Sequence, residues 1–390
     1  MKTPSSRLLS IDVFRAITML LMIFVNDVSG VHNIPAWIDH AEAQQDRLGF
    51  ADTIFPAFLF IVGLSLPLAI ENRRNKQHSF ARITLYIMSR SLALIVMGFF
   101  HVNGENYSSA ALLPHAVWTI LLTLSFFVIW LDYPRTLSKN KKYPLIGCGI
   151  ALLILLAILY KGGSPESPEG LQPHWWGILG LIGWAYLVCA LIFLLVQGEL
   201  LLLTIALLIL LIINLATHTG WWHVHLPVIG DASSASLVMM GVIASVAYRK
   251  LVAQNAYKKV WLFFTTAGIL LIAAGLFVRP YAGGISKIYA TPAWVFICTG
   301  ISLLAFTCIA WLVDVQGKYN WFNIIRPAGT STLTCYLLPY ILYSVFALVH
   351  FHYPQFMNEG IGGILRSFLV AFVIVIATGW LEKKRIRLKV

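Results

Sequence analysis

Three groups of side chains have the types and spacing to do acid–base or acyl chemistry. The first lies on a single apolar run, Ser10-Ile-Asp12-Val-Phe-Arg15 to Val25-Asn26-Asp27. A carboxylate, a guanidinium and an amide are costly in lipid, so they mark a face turned toward a bundle interior or a wet cavity. At 100° per residue Arg15 and Asn26 differ by about 20°, and Asp12 lies about 60° from Arg15. Met19 and Met22 fall on the same stripe, which runs roughly 16 Å from Arg15 to Asn26. An Asp12–Arg15 ion pair that anchors the helix at an interface is the plain reading of that pair. The continuation to Asn26 and Asp27 points to function.

The second group follows at once: His32, Asp39, His40 and then Gly49-Phe-Ala-Asp52-Thr-Ile-Phe-Pro56. An imidazole beside a carboxylate is a general base tunable near neutral pH, which makes His40 the candidate. Asp52 is placed to cap the next helix, with Pro56 in its first turn, where a missing N–H costs least. The third group, His101, Asn103, Glu105 and Asn106, offers hydrogen-bonding groups of the kind that orient sugar hydroxyls; a solvated loop is the alternative. The run His218, His223, His225 lacks the carboxylate or thiolate that would complete a tetrahedral metal site, so no metal is expected.

These residues must be held by membrane helices. The 390-residue chain is 59% hydrophobic and 11% charged, where soluble chains carry roughly 25% charged residues. Apolar runs of spanning length predict an all-α polytopic membrane protein of about 12 transmembrane helices, forming one domain over residues 1–390. The expected spans are 11–28, 52–70, 82–100, 113–131, 144–160, 177–196, 199–215, 232–248, 260–278, 291–312, 330–349 and 361–380. The first run carries Asp12 and Arg15 and no small-residue cleavage site, so it reads as a retained helix.

Net charge is +12, but its distribution excludes a nucleic-acid reading. With the N-terminus inside, alternate segments hold 21 Lys and Arg on one side and only Arg47, Lys161, Arg279 and Lys287 on the other. By the positive-inside rule both termini are cytoplasmic. Ten of the eleven histidines map to the opposite, outer side. Trp175, Trp176, Trp221 and Trp222 flank outer helix ends as interfacial belt residues. Cys148, Cys189, Cys298, Cys308 and Cys335 sit in apolar runs as buried thiols. Walker A, HExxH and GxSxG patterns are absent from the sequence.

The stretch Arg7 to Arg15, the run Phe24-Val-Asn26, His40, and Ala51-Asp52-Thr-Ile-Phe-Pro56 to Gly63 together resemble the heparan-alpha-glucosaminide N-acetyltransferase family, in particular bacterial relatives without a lumenal domain. Ile285-Ser-Lys287 to Trp294, Val313-Asp314-Val-Gln-Gly317 and Pro327-Ala-Gly329 to Tyr336 add to the likeness. The resemblance implies cytoplasmic acetyl-CoA as acyl donor and an extracytoplasmic amino sugar or glycan as acceptor. It implies His40 and Asn26 as the catalytic pair, with Asp27 or Asp52 supporting the imidazole. Asp12, Arg15, Arg82 and Arg90 would serve the donor, and His101, Asn103 and Glu105 the acceptor. Location in a bacterial inner membrane, with the His40 loop facing the periplasm and the chain among lipids, also follows from the resemblance, as does a homodimer. This chain departs from the family at Trp118-Thr119, at Thr330, and in the helices at 177–196 and 199–215. The alternative class is a transporter or flippase for a sugar or lipid-linked sugar, with the same polar stripe lining a path.

Overall fold

The protein is described by a computed structural model over residues 8–134, 136–221, 226, 228–254 and 256–390. Lys2, Arg7, Arg135, Trp222, His223 and His225 lie outside the described residues. The chain is an all-α polytopic membrane protein. Its helices are α1 Leu9–Val28, α2 Ala51–Asn75, α3 Phe80–Glu105, α4 His115–Trp130, α5 Lys139–Leu159, α6 Gly177–Leu195, α7 Leu200–His218, α8 Ser233–Ala253, α9 Tyr257–Val278, α10 Pro292–Ala310, α11 Arg326–Thr330, α12 Thr332–Leu348 and α13 Gly360–Lys383. A two-stranded antiparallel ribbon, β1 Gly162–Ser164 and β2 Ser167–Glu169, stands between α5 and α6.

Ten of the described helices are long and apolar enough to cross a membrane, while α4 and α12 are shorter apolar helices. The expected span 330–349 is broken at Ser331 into α11 and α12, and α10 runs on into a π turn, Trp311–Val315. The two apolar runs flanking Gln197-Gly198-Glu199 are separate helices, because Gln197 (φ 55°) and Gly198 (φ 80°) both adopt left-handed conformations that end α6.

The tightest helix pairs are built on glycines. A Cβ at Gly63 of α2 would lie 2.0 Å from the Val238 carbonyl oxygen of α8, and one at Gly241 of α8 would lie 2.0 Å from the Phe60 carbonyl oxygen. Between α3 and α6 a Cβ at Gly98 would lie 2.2 Å from the Gly180 amide nitrogen, and between α9 and α10 one at Gly300 would lie 2.6 Å from the Gly268 carbonyl oxygen. In lipid the hydrophobic effect does not draw helices together, so backbone approach through small residues carries the packing.

Helix α1 is the hub. It packs against α2, α10, α11, α12 and α13, and fourteen of its side chains are buried. Its first turn is pinned by Asp314 of the π turn, which accepts from Ser10 N (3.3 Å) and Ser10 Oγ (2.6 Å) and also from Tyr248 Oη (3.0 Å). Its last turn is pinned by Asp27. That carboxylate accepts from Arg366 NH2 (2.8 Å) and Ser367 Oγ (2.6 Å) of α13, and from Tyr343 Oη of α12.

Candidate functional site

The inner part of the α1 stripe lines a cavity of about 580 Å³, while Asn26 and Asp27 at its outer end do not. Asp12, Arg15, Met19 and Met22 form its α1 wall at helical spacing, with Leu8 just before the helix. Facing residues include Ser65 and Asn72 of α2, Arg90 of α3, Tyr186 of α6 and Tyr336 of α12. Arg15 is held by Asp12 Oδ1 (3.2 Å), the Gly329 carbonyl (3.3 Å) and Ser65 Oγ (2.5 Å). The Arg90 side chain donates to Tyr86 Oη (3.0 Å) and lies 5.0 Å from the Tyr186 ring centroid. Arg82 is exposed near the start of α3 and takes no part in the cavity lining. The segment Leu388–Val390 folds back onto the cavity mouth, with the Leu388 N–H donating to Thr334 Oγ1 (2.9 Å) and the Lys389 N–H to the Trp130 carbonyl (2.8 Å).

At the other end of α1 and α2 the loop 29–50 brings His40 to Asp52. Nδ1 of His40 lies 2.7 Å from Asp52 Oδ1, and Asp52 Oδ2 accepts the amides of Ala41 (2.9 Å) and Gly49 (3.1 Å). One buried carboxylate thus folds the loop and orients the ring. Gly49 is required there, since a Cβ would lie 1.8 Å from the Asp39 carbonyl oxygen. The expectation of Asp52 as a helix cap is corrected: α2 begins at Ala51 without a side-chain cap, and Asp52 turns outward to the loop. Pro56 is likewise inside α2, not in its first turn. Having no N–H, it leaves the Asp52 carbonyl without its helical donor, and Trp294 Nε1 of α10 supplies one at 3.1 Å.

Lys287 completes the cluster. Its Nζ lies 3.2 Å from His40 Nδ1 and 3.5 Å from Nε2. Burial holds its ammonium below the ordinary lysine range, against the pull of Asp52 and Cys298. The segment carrying Lys287 is tied to the His40 loop at a second point, Asp46. That carboxylate accepts from Arg279 Nε (3.0 and 2.9 Å) and from the Ile285 amide (2.6 Å). Burial alone would raise the Asp46 carboxyl, but the Ile285 amide and Arg279 outweigh it and hold it below the usual range. The tie therefore persists above the ordinary carboxylate range and is lost as pH falls through the depressed value. Asp46→Ala should speed hydrogen exchange at the Ile285 amide by about tenfold or more, as expected for losing a hydrogen bond to a charged group. Unchanged exchange there would show that the tie does not hold the segment.

The remaining sequence candidates divide. Asn26 is exposed, and its side-chain amide takes no hydrogen bond among the described residues. Asp27 is engaged by α12 and α13 and not by His40. Asn103 is buried and occupied, donating to the Phe99 (2.7 Å) and Gln172 (2.8 Å) carbonyls and accepting the Gln172 amide (2.9 Å). Glu105 accepts from Trp175 Nε1 at 3.2 Å. His101 is different: its ring stacks on Tyr340 at 4.2 Å, and both nitrogens are buried without a hydrogen-bond partner. Among the described residues no group of three His, Cys, Asp or Glu could hold a metal. His218 spends its ring nitrogens on the Asn214 (2.8 Å) and Tyr289 (2.7 Å) carbonyls.

Comparison with known proteins adds family information to this geometry. Residues 7–235, which span α1 to α7, match a family described as Domain of unknown function (DUF5009). Heparan-alpha-glucosaminide N-acetyltransferase of Homo sapiens is 38% identical over 101 residues, covering 26% of this chain and 14% of that protein. The Mus musculus protein of the same name is 32% identical over 106 residues, covering 27% of this chain and 15% of its own length. The matched stretch thus spans about one seventh of the curated relatives.

Proposed function

The chain belongs to the DUF5009 family and is a distant homologue of the heparan-alpha-glucosaminide N-acetyltransferases; from that premise we propose that it is a membrane-embedded acyltransferase. It passes an acetyl group from cytoplasmic acetyl-CoA to an extracytoplasmic amino sugar or glycan. The proposal includes twelve spans with both termini cytoplasmic, in a bacterial inner membrane, the His40 loop lying on the periplasmic side.

The observation that carries the reading is the arrangement along α1 and α2. A cavity starts among basic groups at one end, and an imidazole–carboxylate pair stands beyond its other end. Arg15, Arg90 and Lys389 offer donors for an anionic head group, while Met19, Met22, Leu94 and Ile178 give an apolar channel for an extended arm. These residues fit acetyl-CoA in character, and the bound donor would supply the activated thioester. Phe58, the outermost α2 residue of the lining, is about 9 Å of helical rise from Asp52, so the imidazole stands beyond the lined cavity.

The residues of the chain then have distinct tasks. Asp52 holds the Nδ1–H of His40, which leaves Nε2 to take a proton from the acceptor or to attack the acyl carbon. Asn26 has a free amide one turn beyond Met22 to meet developing oxyanion charge. His101, stacked on Tyr340, gives an aromatic surface for the acceptor, with Glu105 nearby on the same helix end.

Calorimetry with acetyl-CoA on purified protein in detergent tests the reading. Wild type should give saturable heats, and Arg15→Met should bind about 10- to 100-fold more weakly, the scale of a lost hydrogen bond to a charged group. A folded wild type that binds no acetyl-CoA would sink the acyltransferase reading in favour of sugar transport.

A further inference from the structure

We propose that residues 386–390 form a hinged strap across the cavity mouth, latched on Asp132. The strap swings aside to admit an anionic ligand and, on closing, turns Lys389 from Asp132 to that ligand. That the ligand is acetyl-CoA rests on the acyltransferase reading; the hinge and the latch do not.

The strap leaves α13 through a tight turn. Arg385 adopts a left-handed conformation (φ 61°), and the Ile386 N–H returns to the Leu381 carbonyl at 2.9 Å, a closure that ends a helix and redirects the chain. Beyond the turn the strap lies antiparallel to the chain that leaves α4, with Leu388 opposite Leu131. The Asp132 N–H donates to the Arg387 carbonyl (2.8 Å), the Lys389 N–H to the Trp130 carbonyl (2.8 Å) and the Leu388 N–H to Thr334 Oγ1 (2.9 Å). Leu388, Lys389 and Val390 thereby line the cavity. A ladder this short can open while the helices it joins stay folded.

One carboxylate fastens the side chains. Asp132 Oδ2 accepts from Arg387 Nε (3.0 Å) and NH2 (2.8 Å), and Oδ1 accepts from Lys389 Nζ (3.3 Å). Glu382, 3.7 Å from Arg387, belongs to α13 on the hinge side, so Asp132 is the carboxylate that ties the strap across to the α4 end. Arg387 is 39% exposed and Lys389 68%, and ion pairs this open to solvent release at small cost. Because Arg387 gives Asp132 two bonds, Lys389 can leave without stranding the carboxylate. Of the four charged residues lining the cavity, Arg15, Arg90 and Lys389 are cations and Asp12 is the anion, a balance that favours an anionic guest.

Hydrogen exchange on the full chain in detergent, without ligand, reads the latch. Asp132→Ala should speed exchange at the Leu388 and Lys389 amides about three- to tenfold, while amides inside α13 keep wild-type rates. Unchanged exchange at the two strap amides, or a rise shared with α13, overturns the strap. A lock tests the gate. Leu131 and Leu388 face each other as a non-hydrogen-bonded pair, whose Cα atoms lie about 4.5 Å apart, within reach of a disulfide. With the bridge between positions 131 and 388 verified by mass spectrometry, oxidised Leu131→Cys/Leu388→Cys should neither take up nor release acetyl-CoA on the timescale at which the same chain, reduced, exchanges it. Lys389→Met should bind acetyl-CoA about three- to tenfold more weakly, and unchanged affinity overturns the transfer of Lys389 to the ligand. Equal acetyl-CoA kinetics in the oxidised and reduced chains overturn the gate and leave the acyltransferase reading standing. Faster strap exchange in Asp132→Ala, beside a folded wild type that binds no acetyl-CoA, supports the hinge and removes that reading.

Discussion

His40→Ala is expected to bind acetyl-CoA as wild type does and to transfer the acetyl group about 10²- to 10⁴-fold more slowly, the range for losing a positioned acid–base group. The ring lines no part of the cavity proposed for the donor, so donor affinity and turnover should separate. Asp52→Asn should reach a similar loss by another route. Its amide oxygen would keep the Ala41 and Gly49 N–H groups that now bind Oδ2. Its NH₂ would then face Nδ1 and drive the ring proton onto Nε2, the atom that has to be free. Single-turnover assays with labelled acetyl-CoA, run beside calorimetry, check both variants. Turnover within a few-fold of wild type in His40→Ala would remove the imidazole from the reaction.

The second large effect is on stability. Asp27 and Arg366 are 3% and 9% exposed at the side chain, and the pair closes the far end of the bundle between α1, α12 and α13. Arg366→Met leaves a carboxylate buried without its cation, which costs about 3–5 kcal/mol in comparable buried pairs. The doubly substituted Asp27→Asn/Arg366→Met chain should recover most of that loss, because no charge is left stranded. Melting curves in detergent decide it. A single variant as stable as wild type, or a double variant worse than either single, would show that the pair is not what clamps α1.

Much of this architecture could be read from the residues. Helix positions followed from apolar runs that have no other way to satisfy their backbone in lipid. The α1 stripe followed from angular arithmetic, and Asp12, Arg15, Met19 and Met22 do share the cavity wall. What could not be read was partner choice across the sequence. Asp27 and Asp52 both stood near His40 in the chain, and only folding separates the carboxylate that meets it from the one taken by Arg366. Lys287 was missed because 247 residues separate it from His40. Yet a signal was present: of the four basic residues on the histidine-rich side, Arg47, Arg279 and Lys287 all converge on the His40 loop or its anchors. Cations that break the charge rule of a membrane protein have a local reason for being where they are.

The glycine crossing of α2 on α8 has a mechanical meaning. With Gly63 and Gly241 seated against the carbonyls of Val238 and Phe60, a slip of α2 by one residue, about 1.5 Å, would bring a side chain into a space that admits only hydrogen. Asp52 rides on α2, so its height is locked to that of α8, like a bearing surface in a lock gate. The opposite cavity wall is edged by Met19 and Met22, unbranched side chains that repack at small cost. On the acyltransferase reading, an acyl group moving from the cavity toward the imidazole would pass adaptable thioethers on one side and a fixed helix on the other.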